Sequence, residues 1–268
     1  MSRKDIAFAI LLLTVPLHFG FMEKGYNKAT KKDELIVIST EAEKRMGASI
    51  AKQVEKKYKD TDDPLVQKHI EEIGCRIAET CERKDVIYRF KVLKAEKEDD
   101  YNAFALPGGY VYIFDALINV MKDDDEIAAI LAHEVGHIAA KHSIKRLQSS
   151  MGANALMLLG MGMRADSREL VKADYAVNQL MMAYSREAER EADQLSVRYL
   201  KNAGFDPNGV VESLEMLKHL RKKGPIRAYT YFRTHPYLSE RLANAKSEIK
   251  ECGDFESYIN VTEEDDSF

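Results

Sequence analysis

Apolar residues recur at helical spacing along most of this chain and alternate over only short stretches. Between Glu41 and Tyr58 they fall at Met46, Ile50 and Val54, one face of a helix. Asp62-Asp63-Pro64 is a start signal, with Pro64 in the first turn. Leu65, Val66, Ile70, Ile73 and Ile77 then continue as an amphipathic helix. Arg89 to Val92 alternates and reads as a strand. Asn102 to Leu106 and Tyr110 to Phe114 are apolar, aromatic and β-branched runs, joined by Pro107-Gly108-Gly109, which predicts a hairpin. The acidic run ending at Glu126 supplies N-cap candidates for a helix from about Asp125 to Leu147. Further helices are expected over Leu170 to Asn202, from Asp206-Pro207, and from Pro236 onward. The Met- and Gly-rich stretch Met151 to Met163 is too short to span a bilayer and reads as a buried helix or the lip of a cleft.

The N-terminus departs from this pattern. Arg3 and Lys4 precede an uncharged stretch over residues 6–22, whose centre has the length of a signal-peptide core. Export is expected, through a signal peptide or an N-terminal membrane anchor at 1–22. Any membrane attachment would run through residues 6–22. Residues 23–40 read as a linker, 41–250 as the folded domain and 251–268 as an acidic tail, with Thr262 to Phe268 expected to be disordered.

Composition narrows the classes. With 268 residues the chain can bury a core without disulfides. Only 6 prolines and 14 glycines favour a helix-rich chain, α+β in class and predominantly helical. A net charge of −4 gives no basic excess for a phosphate backbone, so nucleic acid is not an expected partner. Three cysteines, Cys75, Cys81 and Cys252, form no closed disulfide framework and no CxxC zinc pair. A bridge from Cys75 to Cys81 or to Cys252 stays open in an oxidising compartment.

The chemistry lies at His133-Glu134-Val135-Gly136-His137. On a helix, residues four apart share a face, so two imidazoles at this spacing can meet one zinc ion. Glu134, between them, can act as general base toward a water that the metal activates. Seven histidines and 44 acids would give this spacing by chance about 0.03 times in such a chain. The flank Ala128 to Ala132 is apolar, so buried His and Glu atoms there need partners. Two ligands leave the site incomplete. His142, five residues past His137, is rotated about 140° around the helix and off the ligand face. His235 and the carboxylates Glu187, Glu189, Glu191 and Asp193 remain candidates. Glu189 and Asp193 share a face, so one could bind zinc while the other orients a ligating His.

At this point the residues resemble a family. Asn102 to Tyr112, Leu131 to His137 extended to His142-Ser143, Ser185-Arg186 through Asp193, and Thr234-His235-Pro236 with Arg241 are similar to four ordered motifs. They belong to the zinc metallopeptidases that include the HtpX-type heat-shock proteases and the prenyl-protein (CAAX) endoproteases. The nearest branch looks like its soluble, exported bacterial members. The resemblance implies a mostly helical zincin-like fold with a small sheet. It implies one Zn²⁺ per chain held by His133, His137 and Glu189, with Asp193 supporting it. It also implies hydrolysis of peptide bonds in unfolded or misfolded proteins, in the bacterial periplasm or on the periplasmic face of the inner membrane.

Glu134 is then the catalytic base, and His235 is the expected oxyanion donor, ahead of Tyr184 and Arg241. Helix capping and gating of the zinc are alternative roles for His235. The strand Asn102, Ala103, Phe104, Ala105, Leu106 is expected to hold an extended substrate by β-augmentation. A zinc-stabilised chaperone or assembly factor with little or gated proteolysis is the alternative from another class. The apolar Met151 to Met163 stretch would suit it, and the intact Glu134 speaks against it.

Overall fold

The structure is a computed structural model, and residues 23–36, 38–150, 182–223 and 231–264 are described here. The stretches 1–22 and Met151 to Met163, and the expected helix over residues 170–181, lie outside them. The chain opens with a hairpin of β1 (Glu23–Asn27) and β2 (Lys32–Ile36). Next come α1 (Thr40–Lys57) and α2 (Pro64–Thr80). The second sheet is built from β3 (Arg89–Leu93), β4 (Ala103–Leu106) and β5 (Tyr110–Phe114). The rest is helical: α3 (Asp115–Ile118), α4 (Asp124–Ala139), α5 (Arg186–Ala203), α6 (Gly209–Lys223), α7 (Tyr231–Thr234) and α8 (Leu238–Glu264). This is an α+β, predominantly helical architecture, as expected.

Helix starts follow side-chain capping. Ser39 accepts from Ala42 N, and Asp63 accepts from Leu65 N at 2.9 Å with Pro64 next to it. Asp123 accepts from Glu126 N at 3.1 Å, and three acids follow in the first turn of α4. In the second sheet β5 is central, parallel to β3 and antiparallel to β4, with Phe104 opposite Tyr112. The β4–β5 turn needs its glycines: Gly108 and Gly109 have φ of 80° and 100°, and a Cβ on Gly109 would lie 2.3 Å from Ile87 O.

The core centres on α4, every residue of which from Glu126 to Ala139 is buried. It packs between α2, α5, α6 and the β4 edge of the sheet. A helix buried all round must satisfy every polar side chain it carries. That requirement falls on Glu126, His133, Glu134 and His137.

Five expectations change. Residues 23–40 are not a linker, because the β1–β2 hairpin docks on the domain. Asn27 Nδ2 donates to Ala139 O at 3.1 Å, Lys145 Nζ to Glu34 Oε1 at 2.7 Å and Arg198 Nη2 to Ala29 O at 3.2 Å. The active-site helix does not run on to Leu147. It ends at Ala139, Lys141 takes a left-handed φ of 55°, and a new helical stretch begins at 142. The acidic tail expected from 251 is helical, as part of α8, through Glu264. The helix expected over Leu170 to Asn202 does not run through its described part: residues 183–185 are not helical, and α5 starts at Arg186 behind the Ser185 cap. Cys75 and Cys81 are free thiols, so the bridge left open by the sequence is not formed.

Candidate metal centre

α4 presents His133 and His137 one turn apart, edge to face, with Nε2 atoms separated by 3.0 Å. α5 crosses α4 closely because Gly136 has no side chain. A Cβ there would lie 3.0 Å from Ala192 O. The crossing brings Glu189 and Asp193, both buried, against the two imidazoles. Glu189 Oε2 lies 3.5 Å from His133 Nε2, and Oε1 lies 3.6 Å from His137 Nε2. His235, just past α7, brings Nδ1 to 3.3 Å from His133 Nε2 and 3.1 Å from Glu189 Oε1. One ligand atom from each of these four buried residues lies within 4.8 Å of all the others.

This donor set fits zinc. Tetrahedral bonds of about 2.1 Å place neighbouring ligand atoms about 3.4 Å apart. The five contacts just given run from 3.0 to 3.6 Å. Buried polar atoms are also under-satisfied: Glu134 Oε2 has no hydrogen-bond partner, and Glu134 Oε1 has only the His235 Nε2 atom 3.3 Å away. Such atoms are costly unless something bound there satisfies them. Charge points the same way. The buried carboxylates Glu134, Glu189 and Asp193 face one guanidinium in direct contact, Arg241, among the described residues, which leaves an excess of negative charge for a divalent cation to balance.

The next layer fixes the ligands. Asp193 Oδ1 lies 2.9 Å from His133 Nδ1, which leaves Nε2 facing the cluster. Arg241 grips Asp193 with two bonds, Nε at 2.9 Å and Nη2 at 2.8 Å, and sets Nη1 2.9 Å from Glu189 Oε2. Burial alone would raise the Glu189 carboxyl, but the Arg241 charge and His235 outweigh it and hold it well below the usual range. Burial and Arg241 oppose a proton on His133, yet the Asp193 bond and charge lift it to about 8. Burial pushes His137 well below its ordinary value, and neighbouring His133 and His142 add to that.

His133, Glu134, His137, Glu189 and Asp193 are thus brought together where the spacing predicted. His235, one of the candidates left open by the sequence, joins them: its Nδ1 stands among the candidate ligand atoms and its Nε2 is 3.3 Å from Glu134 Oε1. The weaker oxyanion candidates are otherwise engaged. Tyr184 OH bonds Ser143 Oγ at 3.0 Å, and its ring stacks on His137 at 3.9 Å. Arg241 is committed to the carboxylates. The expected substrate residues Asn102 to Leu106 are buried, with β4 at the edge of its sheet beside α4.

Two neighbours support the ligands from behind. His142 stays out of the ligand cluster, as its spacing implied, yet its Nδ1 lies 2.8 Å from His137 Nδ1 because the chain breaks at Lys141. No Gly or Pro announces that break. Tyr231 stacks on His235 with centroids 4.3 Å apart. Its place four residues before His235 was the available signal.

A family profile described as Peptidase family M48 matches residues 64–249, well over half of the 268 residues. The chain belongs to peptidase family M48. That is the zinc metallopeptidase family its four motifs resembled. The chain is 26% identical over 219 residues to the Beta-barrel assembly-enhancing protease of Escherichia coli (strain K12), covering 78% of this chain and 44% of that protein. It is 27% identical over 229 residues to the Mitochondrial metalloendopeptidase OMA1 of Schizosaccharomyces pombe, covering 80% and 66%. It is 31% identical over 159 residues to the Metalloprotease YcaL of Escherichia coli (strain K12), covering 58% and 61%. This M48 chain thus spans less than half the length of the first of these relatives. Among its described residues no helix is long and apolar enough to cross a membrane.

Proposed function

We propose that the chain is a zinc-dependent metalloendopeptidase acting on unfolded or misfolded proteins. The observation that carries this reading is a four-residue ligand cluster beside the buried Glu134, whose Oε2 has no hydrogen-bond partner. His133, His137 and Glu189 would hold the ion, the three protein ligands of a catalytic site. When bound, zinc supplies a Lewis acid for the scissile carbonyl and lowers the pKa of water toward neutrality. Glu134 takes the proton of the attacking water on a carboxylate oxygen and gives it to the leaving amine nitrogen. Asp193 holds the His133 ring, and Arg241 keeps Asp193 and Glu189 charged and oriented. The outer edge of β4, unpaired among the described residues, would receive an extended substrate strand. A setting in quality control of exported or envelope proteins rests on the basic flank and apolar core of residues 1–22. It is also supported by a relative named for enhancing β-barrel assembly.

The test compares the full chain with Glu134→Gln. The expected result is about one zinc per chain in both, and cleavage of an unfolded protein reduced at least ~100-fold in the variant. Equal cleavage by the two forms would remove Glu134 from the chemistry.

One observation favours a gated form of this activity, compatible with an assembly factor that cleaves only on demand. His235 Nδ1 sits among the ligand atoms, where a substrate carbonyl would have to approach. His235→Ala is then expected to retain zinc and to cleave an unfolded substrate faster than wild type. Slower turnover would instead assign His235 to the oxyanion.

A further inference from the structure

His133 and His137 differ in what holds their second nitrogen. For His133 it is a carboxylate, Asp193, at 2.9 Å. For His137 it is another imidazole: Nδ1 of His142 lies 2.8 Å from Nδ1 of His137. His142 cannot belong to the ligand cluster from there, because its ring meets the far side of His137. Its own Nε2 lies 3.1 Å from Glu191 Oε2. Glu191 is ion-paired with Lys32, which also lies 3.3 Å from Glu187.

The direction of each bond follows from the outer end. A carboxylate only accepts, so His142 Nε2 carries the hydrogen and donates to Glu191. Neutral His142 then has its lone pair on Nδ1. His137 Nδ1 must donate to it, which leaves the lone pair of His137 on Nε2, the nitrogen that faces the cluster. One tautomer of each ring satisfies the whole path. Exposure grades along it in the same order: the side chains of His142, Glu191 and Lys32 are 4%, 12% and 52% exposed. Lys32 is in β2, and the β1–β2 hairpin grips the turn that delivers His142. Asn27 Nδ2 bonds Ala139 O at 3.1 Å, and Glu34 pairs with Lys145 at 2.7 Å.

We propose that His142 positions His137 for the metal, with Glu191 and Lys32 holding His142, so that docking of the β1–β2 hairpin sets metal affinity. This inference rests on the metal reading above and adds a role to a segment outside the residues 64–249 of the family match. His142 is a positioning residue and touches no substrate.

The test titrates the full-length chain with Zn²⁺ against a chromophoric chelator and records the visible spectrum of the Co²⁺-loaded protein. His142→Ala and Glu191→Ala are each expected to weaken Zn²⁺ binding about 10- to 100-fold and to shift the Co²⁺ bands. The thermal midpoint of the metal-free protein is expected to hold. His142→Gln, which presents one acceptor and one donor on a planar group, should recover most of the affinity. Lys32→Met, at the end of the path, should cost less than either alanine. Where His142→Ala does not fold, Glu191→Ala decides. A lowered metal-free midpoint with unchanged Zn²⁺ affinity and an unchanged Co²⁺ spectrum would mean a structural role and would overturn the proposal. Wild type in the same titration separates the two ideas. No Zn²⁺ on wild type removes the metal reading and this inference together. Equally tight Zn²⁺ on wild type and both alanine variants removes the positioning role alone.

Discussion

His133 is held at both nitrogens, and the two holds have different chemistry. Nε2 faces three other donor atoms, while Nδ1 lies 2.9 Å from a carboxylate that Arg241 clamps with two bonds. Asp193→Asn keeps the shape and removes the charge that favours the Nδ1–H tautomer. It is expected to weaken Zn²⁺ about 10- to 100-fold in a chelator competition while the fold persists. Unchanged affinity would mean that packing alone orients His133. At this scale the sequence was informative wherever a residue's partner lies one helical turn away. His133 with His137, and Glu189 with Asp193, are such pairs. It placed His142 off the ligand face but did not reveal its approach to His137 Nδ1, which depends on one left-handed residue, Lys141, with no glycine to mark it. It also left the place of His235 open, because that is set by packing on Tyr231 and Tyr184 from other segments.

Elements meet at a second buried charge cluster that spacing did not reveal. Glu43 of α1 and Arg83, beyond α2, pair at 2.5 and 2.9 Å, both side chains almost fully buried. Arg83 also donates to Ile138 O at 2.9 Å, and Glu43 accepts from Gly108 N at 3.1 Å. One ion pair thus ties α1, the β4–β5 turn and the end of α4. Gly47 lets α1 come this close, since a Cβ there would fall 1.9 Å from Pro107 O. Arg83→Met strands a buried carboxylate and is expected to cost about 3–5 kcal/mol in urea unfolding. Adding Glu43→Leu should recover much of it, and failure to recover would mean that the bonds to Ile138 and Gly108 matter more than the charge. Acid behaviour follows from the neighbour Asp85. Burial would raise its carboxyl, but the Arg83 charge and the Thr40 bond hold it below its ordinary 3.8. A depressed native pKa contributes stability above the ordinary value and loses it as pH falls through the native one. Wild type should therefore lose this contribution below about pH 4, and Arg83→Met should show a shallower decline there. Helix starts at Asp63 and Asp123 were legible because those acids cap locally, whereas the start at Ser185 was not, since the expected helix ran through it. Helix ends without glycine, such as Ala139, were not.

At the scale of the whole molecule, the site is assembled from distant stretches of chain: α4, α5, the α7–α8 junction and, through Lys32, the N-terminal hairpin. The architecture was legible as helices around a small sheet, but the docking of that hairpin was not. Its strands carry mostly polar residues with little periodicity, and its contacts are hydrogen bonds to the α4 turn and α5. Since a metal would draw ligands from three of these stretches at once, it should stabilise the folded chain as a whole. Three buried carboxylates, with one arginine in direct contact, leave the cluster with an excess of negative formal charge. A proton on His133, with its pKa near 8, offsets only part of that. Free Zn²⁺ at 1,000 times its Kd adds about 4.1 kcal/mol of stability. At roughly 2 °C per kcal/mol for a chain of this size, chelation should lower the melting temperature by about 8 °C. Returning Zn²⁺ should restore it, whereas Mg²⁺, which prefers six oxygen ligands, should not. Scanning calorimetry on metal-loaded, stripped and reloaded protein measures this directly. A stripped protein that melts with the loaded one would show that the four residues converge without holding an ion.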